Sequence, residues 1–156
     1  MKIISRILLV VGDALEREAA HVALSRCGAE ILSTESARGA HHLLQLTEPP
    51  DLVILHLDFQ DPNPLQLYQQ MRQAPSTRTI PLLMLVDSPL ERTMVDNLKL
   101  THCACFLAPL TFGALVFVLP SLGLEITDGI LCHKETPTPA MPFQERREPS
   151  PTESRA

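Results

Sequence analysis

A chain of 156 residues has room for one globular domain with a real core and not for two of comfortable size. Its formal net charge of -5, with no Lys/Arg-rich run, excludes a broad electrostatic nucleic-acid footprint, and few aromatics without any Trp exclude a base-stacking platform. The four cysteines, Cys27, Cys103, Cys105 and Cys132, lack disulfide-framework spacing and read as buried reduced thiols of a cytoplasmic protein. The run from Met1 to Arg6 has neither the long apolar core nor the cleavage site of a signal peptide.

In chain order, Arg6 to Val11 is an apolar run ending at Gly12, suited to a strand covered on both faces. Asp13 is expected as the N-cap of the first helix, with Glu16 closing a capping box. Leu15, Ala19, Val22 and Ala23 form the predicted inward stripe, and Gly28 stands where a C-cap glycine belongs. A second strand is predicted from Ala29 to Ser33 and a helix from Ser36 to Thr47, stopped by Pro49 and Pro50. Leu52 to Leu57 is the third strand. Asp58 to Pro64 is a polar loop before a helix whose inward stripe is Leu65, Tyr68 and Met71.

Pro81 to Val86 is the fourth strand. Ser88, Pro89 and Glu91 then give a strong helix start, with Leu90, Met94, Val95 and Leu98 expected to face inward. Cys103 to Leu107 is the fifth strand, followed by Pro109 and a last helix from Thr111 to Leu119. Cys103 to Leu124 is also long enough to cross a bilayer. Pro109, Gly113, Pro120 and Gly123 interrupt it, however, and the strand–proline–helix reading accounts for it without lipid.

Five alternating strand–helix pairs predict an α/β domain, a parallel sheet with helices on both faces. That domain is expected over residues 1–121. Residues 122–134 are an extension that forms an added strand or docks on the domain. Residues 135–156, rich in Pro, Glu, Arg, Ser and Thr, are expected to be a disordered tail.

From Arg6 to about Leu119 the chain resembles the receiver domain of bacterial two-component response regulators. Pro50-Asp51-Leu52-Val53-Ile54-Leu55 is similar to the lead into that family's third strand. Leu65 to Arg72 is similar to its third helix, and Thr77 to Leu85 to its link and fourth strand. The resemblance implies a five-stranded doubly wound, flavodoxin-like sandwich of strand order 2-1-3-4-5, with its site at the carboxyl ends of the strands. It also implies an Asp acceptor, a pair of Mg²⁺-holding acids, a hydroxyl residue and a Lys. Such parts are needed because a carboxylate nucleophile and an anionic donor repel until cations neutralise them.

Placed by the resemblance, every one of these parts is replaced. The acceptor position holds His56, the acid pair Val11 and Gly12, the hydroxyl position Val86, and the Lys position Ala108, before a retained Pro109. The aromatic switch position falls on Cys105, beside Phe106. A hard dication wants several oxygen ligands, which Val11 and Gly12 cannot supply beyond their carbonyls. The expectation is therefore a degenerate receiver with no catalytic residues, no metal and no cofactor.

Its expected function is that of a phosphorylation-independent interaction module in a phosphorelay-related pathway. Partners are a signalling protein, a second copy, or both, with no nucleic acid and no membrane. The face expected to carry contacts is Leu90, Met94, Phe106, Phe112, Val116 and Phe117, since the last helix is apolar nearly all round. A fold-back of Leu122 to Leu131 over that helix is the competing reading. The alternative function is an active, metal-dependent phosphoacceptor using displaced rim carboxylates, Asp13, Asp58 and Asp87, with Asp61 beside them.

Smaller signals weigh less. His56 reads as a structural residue before it reads as a phosphorylated or pH-sensing one. Cys103 and Cys105 share one strand face while His102 points to the other, and the rest of a zinc ligand set is missing. The Cys-x-Cys pair also lacks the helix-start setting of a redox motif. His41 and His42 are expected to be one buried and one exposed.

Overall fold

The structure is a computed structural model that describes residues 3–46, 48–57 and 65–134. Five parallel strands, β1 (Arg6–Val10), β2 (Glu30–Thr34), β3 (Leu52–His56), β4 (Leu82–Val86) and β5 (Cys103–Leu107), form one sheet in the order β2-β1-β3-β4-β5. The helices are α1 (Ala14–Leu24), α2 (Ala37–Leu46), α3 (Gln66–Gln73), α4 (Pro89–Asn97) and α5 (Phe112–Val118). A 3₁₀ turn over Leu119–Leu122 leads into a hairpin, β6 (Leu124–Thr127) and β7 (Ile130–His133). The expected strand order is the observed one. The expected loop from Asp58 to Pro64 and the tail over 135–156 lie outside the described residues.

Apart from Arg6 at the start of β1 and His56 at the end of β3, the central strands are apolar because the sheet is covered twice. Ile7, Leu9, Leu52, Ile54, Leu83 and Leu85 face α1 and α5, meeting Ala20, Ala23, Leu24, Leu115 and Val118. Leu8, Val10, Val53, Leu55, Leu82 and Met84 face α2, α3 and α4, meeting Ala40, Leu67, Met71 and Val95. Alternation along each strand thus deals side chains to two cores, and each fully buried Leu or Ile contributes on the order of 1.5–3 kcal/mol.

Several sequence expectations shift. The inward stripe of α1 is Ala20, Ala23 and Leu24, continuing to the buried Cys27, whereas Leu15 and Val22 are 83% and 61% exposed. Ala23 belongs to both stripes, and Ala20 and Leu24 take the places expected for Leu15 and Val22. On α4 only Val95 is buried, while Leu90, Met94 and Leu98 point outward. That helix flanks the edge strand β5, so sheet underlies only part of its circumference. On α3 the buried pair is Leu67 and Met71, with Leu65 and Tyr68 half-buried at its margin.

Caps fall where the sequence placed them, with altered partners. The Glu16 amide donates to Asp13 Oδ1 at 2.9 Å, but Glu16 Oε2 is buried with no partner, so the reciprocal half of the box does not close. The Glu91 amide donates to Ser88 Oγ at 3.2 Å, and the Glu91 carboxylate reaches one residue further back, accepting from the Asp87 amide at 3.0 Å. Helix α1 ends at Leu24, one turn before Gly28, whose φ of +71° lets the chain reverse into β2.

The extension is a hairpin docked beneath the sheet. Leu124, Leu131 and Cys132 are buried, the Ile4 amide donates to the Leu131 carbonyl at 2.8 Å, and the Leu131 amide donates to the Cys27 carbonyl at 3.3 Å. It closes the amino end of the strands, leaving the outer face of α5 open, with Phe117 75% exposed.

Candidate functional site

Strand register gathers the substituted positions at one rim. Val10 pairs with Leu55, His56 with Leu85, and Val86 with Leu107, so the residues that end these strands stand side by side. Val11 and Val86 are fully buried, and the Ala108 amide donates to the Val86 carbonyl at 2.8 Å. Gly12 is exposed, and a Cβ there would sit 3.2 Å from the Glu35 carbonyl oxygen. A longer side chain at position 12 therefore crowds the turn after β2.

His56 is the one ionisable side chain among the five. Its ring is 11% exposed, and Nε2 lies 2.9 Å from Asp87 Oδ1, in the turn between β4 and α4. A carboxylate only accepts, so Nε2 carries the proton of this bond. Asp87, a candidate displaced acid in the sequence, is thus engaged by the imidazole. Asp13 is engaged as the α1 cap, and Asp58 and Asp61 lie outside the described residues.

Arg17 is a participant that the sequence reading missed. Its Nη1 donates to the Val11 carbonyl at 2.8 Å and to the Gly12 carbonyl at 3.4 Å. The carbonyls that alone remained to a cation after β1 are therefore held by a guanidinium, which repels a second positive charge. The signal was an Arg one helical turn past the Asp13 cap, a position that points its side chain back toward the strand end. No group of three or more His, Cys, Asp or Glu side chains converges to hold a metal ion among the described residues. The described residues at this rim do not fit the Mg²⁺ that the resemblance implies.

The expected contact face divides around β5. Leu90 and Met94 are 71% and 48% exposed on α4, while Val116 and Phe117 are 47% and 75% exposed on α5. Phe106 is half-buried on β5, its ring centroid 6.3 Å from that of Phe117. Phe112 turns toward α1, where the Arg26 guanidinium stacks 4.4 Å over its ring. The face thus gathers Phe106, Val116 and Phe117 on one side of the edge strand and Leu90 and Met94 on the other; Phe112 belongs to the α1–α5 junction.

Cys103 and Cys105 turn the same way, into the core beneath α3 and α4. Burial, reinforced by the neighbouring Cys105, pushes the Cys103 thiol up to about 12, and burial pushes Cys105 up to about 11. Both are protonated near neutrality and are poor nucleophiles. His102 is exposed in the turn before β5, and His41 is half-buried beside an exposed His42. No described helix is long and apolar enough to cross a membrane.

With this geometry in place, the chain has the fold of response-regulator receiver domains, and solved structures are similar to it. It is similar to the bacteriophytochrome response regulator RtBRR at 27% identity over 81% of this chain and 86% of that one, with a TM-score of 0.70. The bacteriophytochrome response regulator AtBRR matches at 24% identity, over 77% of this chain and 93% of that one, TM-score 0.69. A response regulator receiver protein from Pseudomonas putida matches at 24% identity, over 72% and 93%, TM-score 0.59. No family model and no curated protein matches the sequence.

Proposed function

We propose that this chain is a phosphorylation-independent receiver, an interaction module in a signal-transduction pathway that signals through what it binds. Its receiver neighbours support the signalling role. The observation that carries the rest is the rim: the acceptor position is an imidazole bonded at 2.9 Å to Asp87, with Val11 and Gly12 where a metal would need carboxylates. In this reading the domain spans residues 1–121, the extension 122–134 closes its base, and binding uses the exposed side chains about β5. The reading makes the protein no enzyme and sets it in the cytoplasm.

Light scattering during gel filtration tests it, with and without Mg²⁺ and beryllofluoride, a phosphoryl mimic. The mass and elution of the chain are expected to be the same in both conditions. A shift produced only by the mimic would mean that the rim still senses a phosphoryl-like group. Affinity capture completes the test, since Leu90→Glu with Phe117→Glu should lose a partner that the unmodified chain retains. Equal recovery by both would remove the proposed face.

A further inference from the structure

Helix α4 has little apolar anchorage. Val95 is its only buried residue, and Leu90, Met94 and Leu98 face solvent. Its first turn is instead tied down by a run of polar bonds that begins on the sheet. His56, at the end of β3, holds the Asp87 carboxylate at 2.9 Å. The Asp87 amide donates to Glu91 Oε1 at 3.0 Å, and the Glu91 amide donates to Ser88 Oγ at 3.2 Å. The Arg92 amide donates to the Ser88 carbonyl at 3.1 Å, where regular helix begins.

We propose that the His56–Asp87 contact is a permanent latch that fixes the β4–α4 turn, and with it the outward-facing Leu90 and Met94, in a single position. The imidazole bridges two strand ends just past the point where the Leu57 amide donates to the Leu85 carbonyl at 2.8 Å. The ring is 11% exposed and the Asp87 side chain 57%, so the bond is shielded on the His56 side alone. The link needs no ligand and no modification. It deepens the interaction-module reading, on which it rests, by stating how the binding face stays in one arrangement without a phosphoryl signal.

Amide hydrogen exchange on the full chain tests the latch, in the absence of metal and phosphoryl donor. Asp87→Ala removes the acceptor, opens no cavity because that side chain is 57% exposed, and leaves the residue-87 amide free to bond Glu91. The amides of residues 90–95 are expected to exchange roughly tenfold faster, as for loss of one hydrogen bond to a charged group. The amides of Leu9 and Ile54, deep in the sheet, should keep their protection and report an intact fold. Adding His56→Leu to Asp87→Ala should change nothing more, because both remove the same bond. The imidazole nitrogen shifts supply a second readout, with His56 protonated at Nε2 in the unmodified chain and released from that tautomer in Asp87→Ala.

Unchanged exchange in α4, or a double variant whose effect is the sum of two independent losses, would overturn the latch. Neither result bears on phosphoryl transfer, which the beryllofluoride comparison addresses separately.

Discussion

The two ends of the sheet are held by different kinds of force. At the amino end, Leu124 and Leu131 of the hairpin complete the core beneath α1 and α5. There the Asp51 carboxylate also accepts the amides of Ser5 at 2.8 Å and Arg6 at 3.2 Å. At the carboxyl end, single polar bonds hold the turns: His56 to Asp87, and Arg17 to the Val11 carbonyl. Burial scales with apolar area and tolerates little change, whereas a rim contact can be exchanged one residue at a time. Of the rim positions, Val11 and Val86 are also part of the core, whereas His56 and Arg17 act through single polar bonds.

The comparison breaks first at the hairpin. Leu131→Ala should cost about 2–5 kcal/mol, the range for truncating a fully buried Leu, read as a lower urea midpoint. A midpoint within error of the unmodified chain would mean that the hairpin does not belong to the core. Raising the pH probes the core between the two ends. Cys103 is pushed up to about 12 and Cys105 to about 11, above the ordinary thiol value of 9.0. Below pH 9 the thiols are protonated, folded or unfolded, and contribute no pH dependence. Above it the unfolded chain ionises first, so the stabilisation fades as pH rises from 9 through 12. Cys103→Ala with Cys105→Ala should flatten that alkaline decline, and an unaltered slope would assign it to other groups.

The smallest effect belongs to the exposed face. Phe117→Ser, at a side chain 75% exposed, should move stability by no more than about 0.5 kcal/mol. A large loss there would make Phe117 part of the core through its ring contact with Phe106, and would weaken its assignment to a binding face.

What the sequence made legible follows from how local each signal is. Strands such as Leu52–His56 and Cys103–Leu107 were readable because apolar runs bounded by Pro and polar residues admit few alternatives. The caps at Asp13 and Ser88 were readable because capping is a matter of three or four residues. The inward faces of α1 and α4 were misread because two apolar stripes competed, and only the packed sheet decides between Leu15 and Ala20, or between Leu90 and Val95. The hairpin was open for a similar reason: its strands pair with each other, and its docking rests on long-range contacts with Ile3, Ile4 and Cys27. At the rim, substitution by position was legible, but the bond from His56 to Asp87 crosses 31 residues of chain. Arg17 was overlooked because its role depends on a backbone carbonyl, which no side-chain motif announces.

The most direct measurement is the intact mass of the chain after incubation with Mg²⁺ and a small phosphoryl donor, beside a His56→Asp variant given the same treatment. The account predicts that both stay unlabelled, since restoring the acceptor leaves Val11, Gly12 and Ala108 where acids and a Lys would be needed. A covalent phosphoryl adduct on the unmodified chain would contradict it.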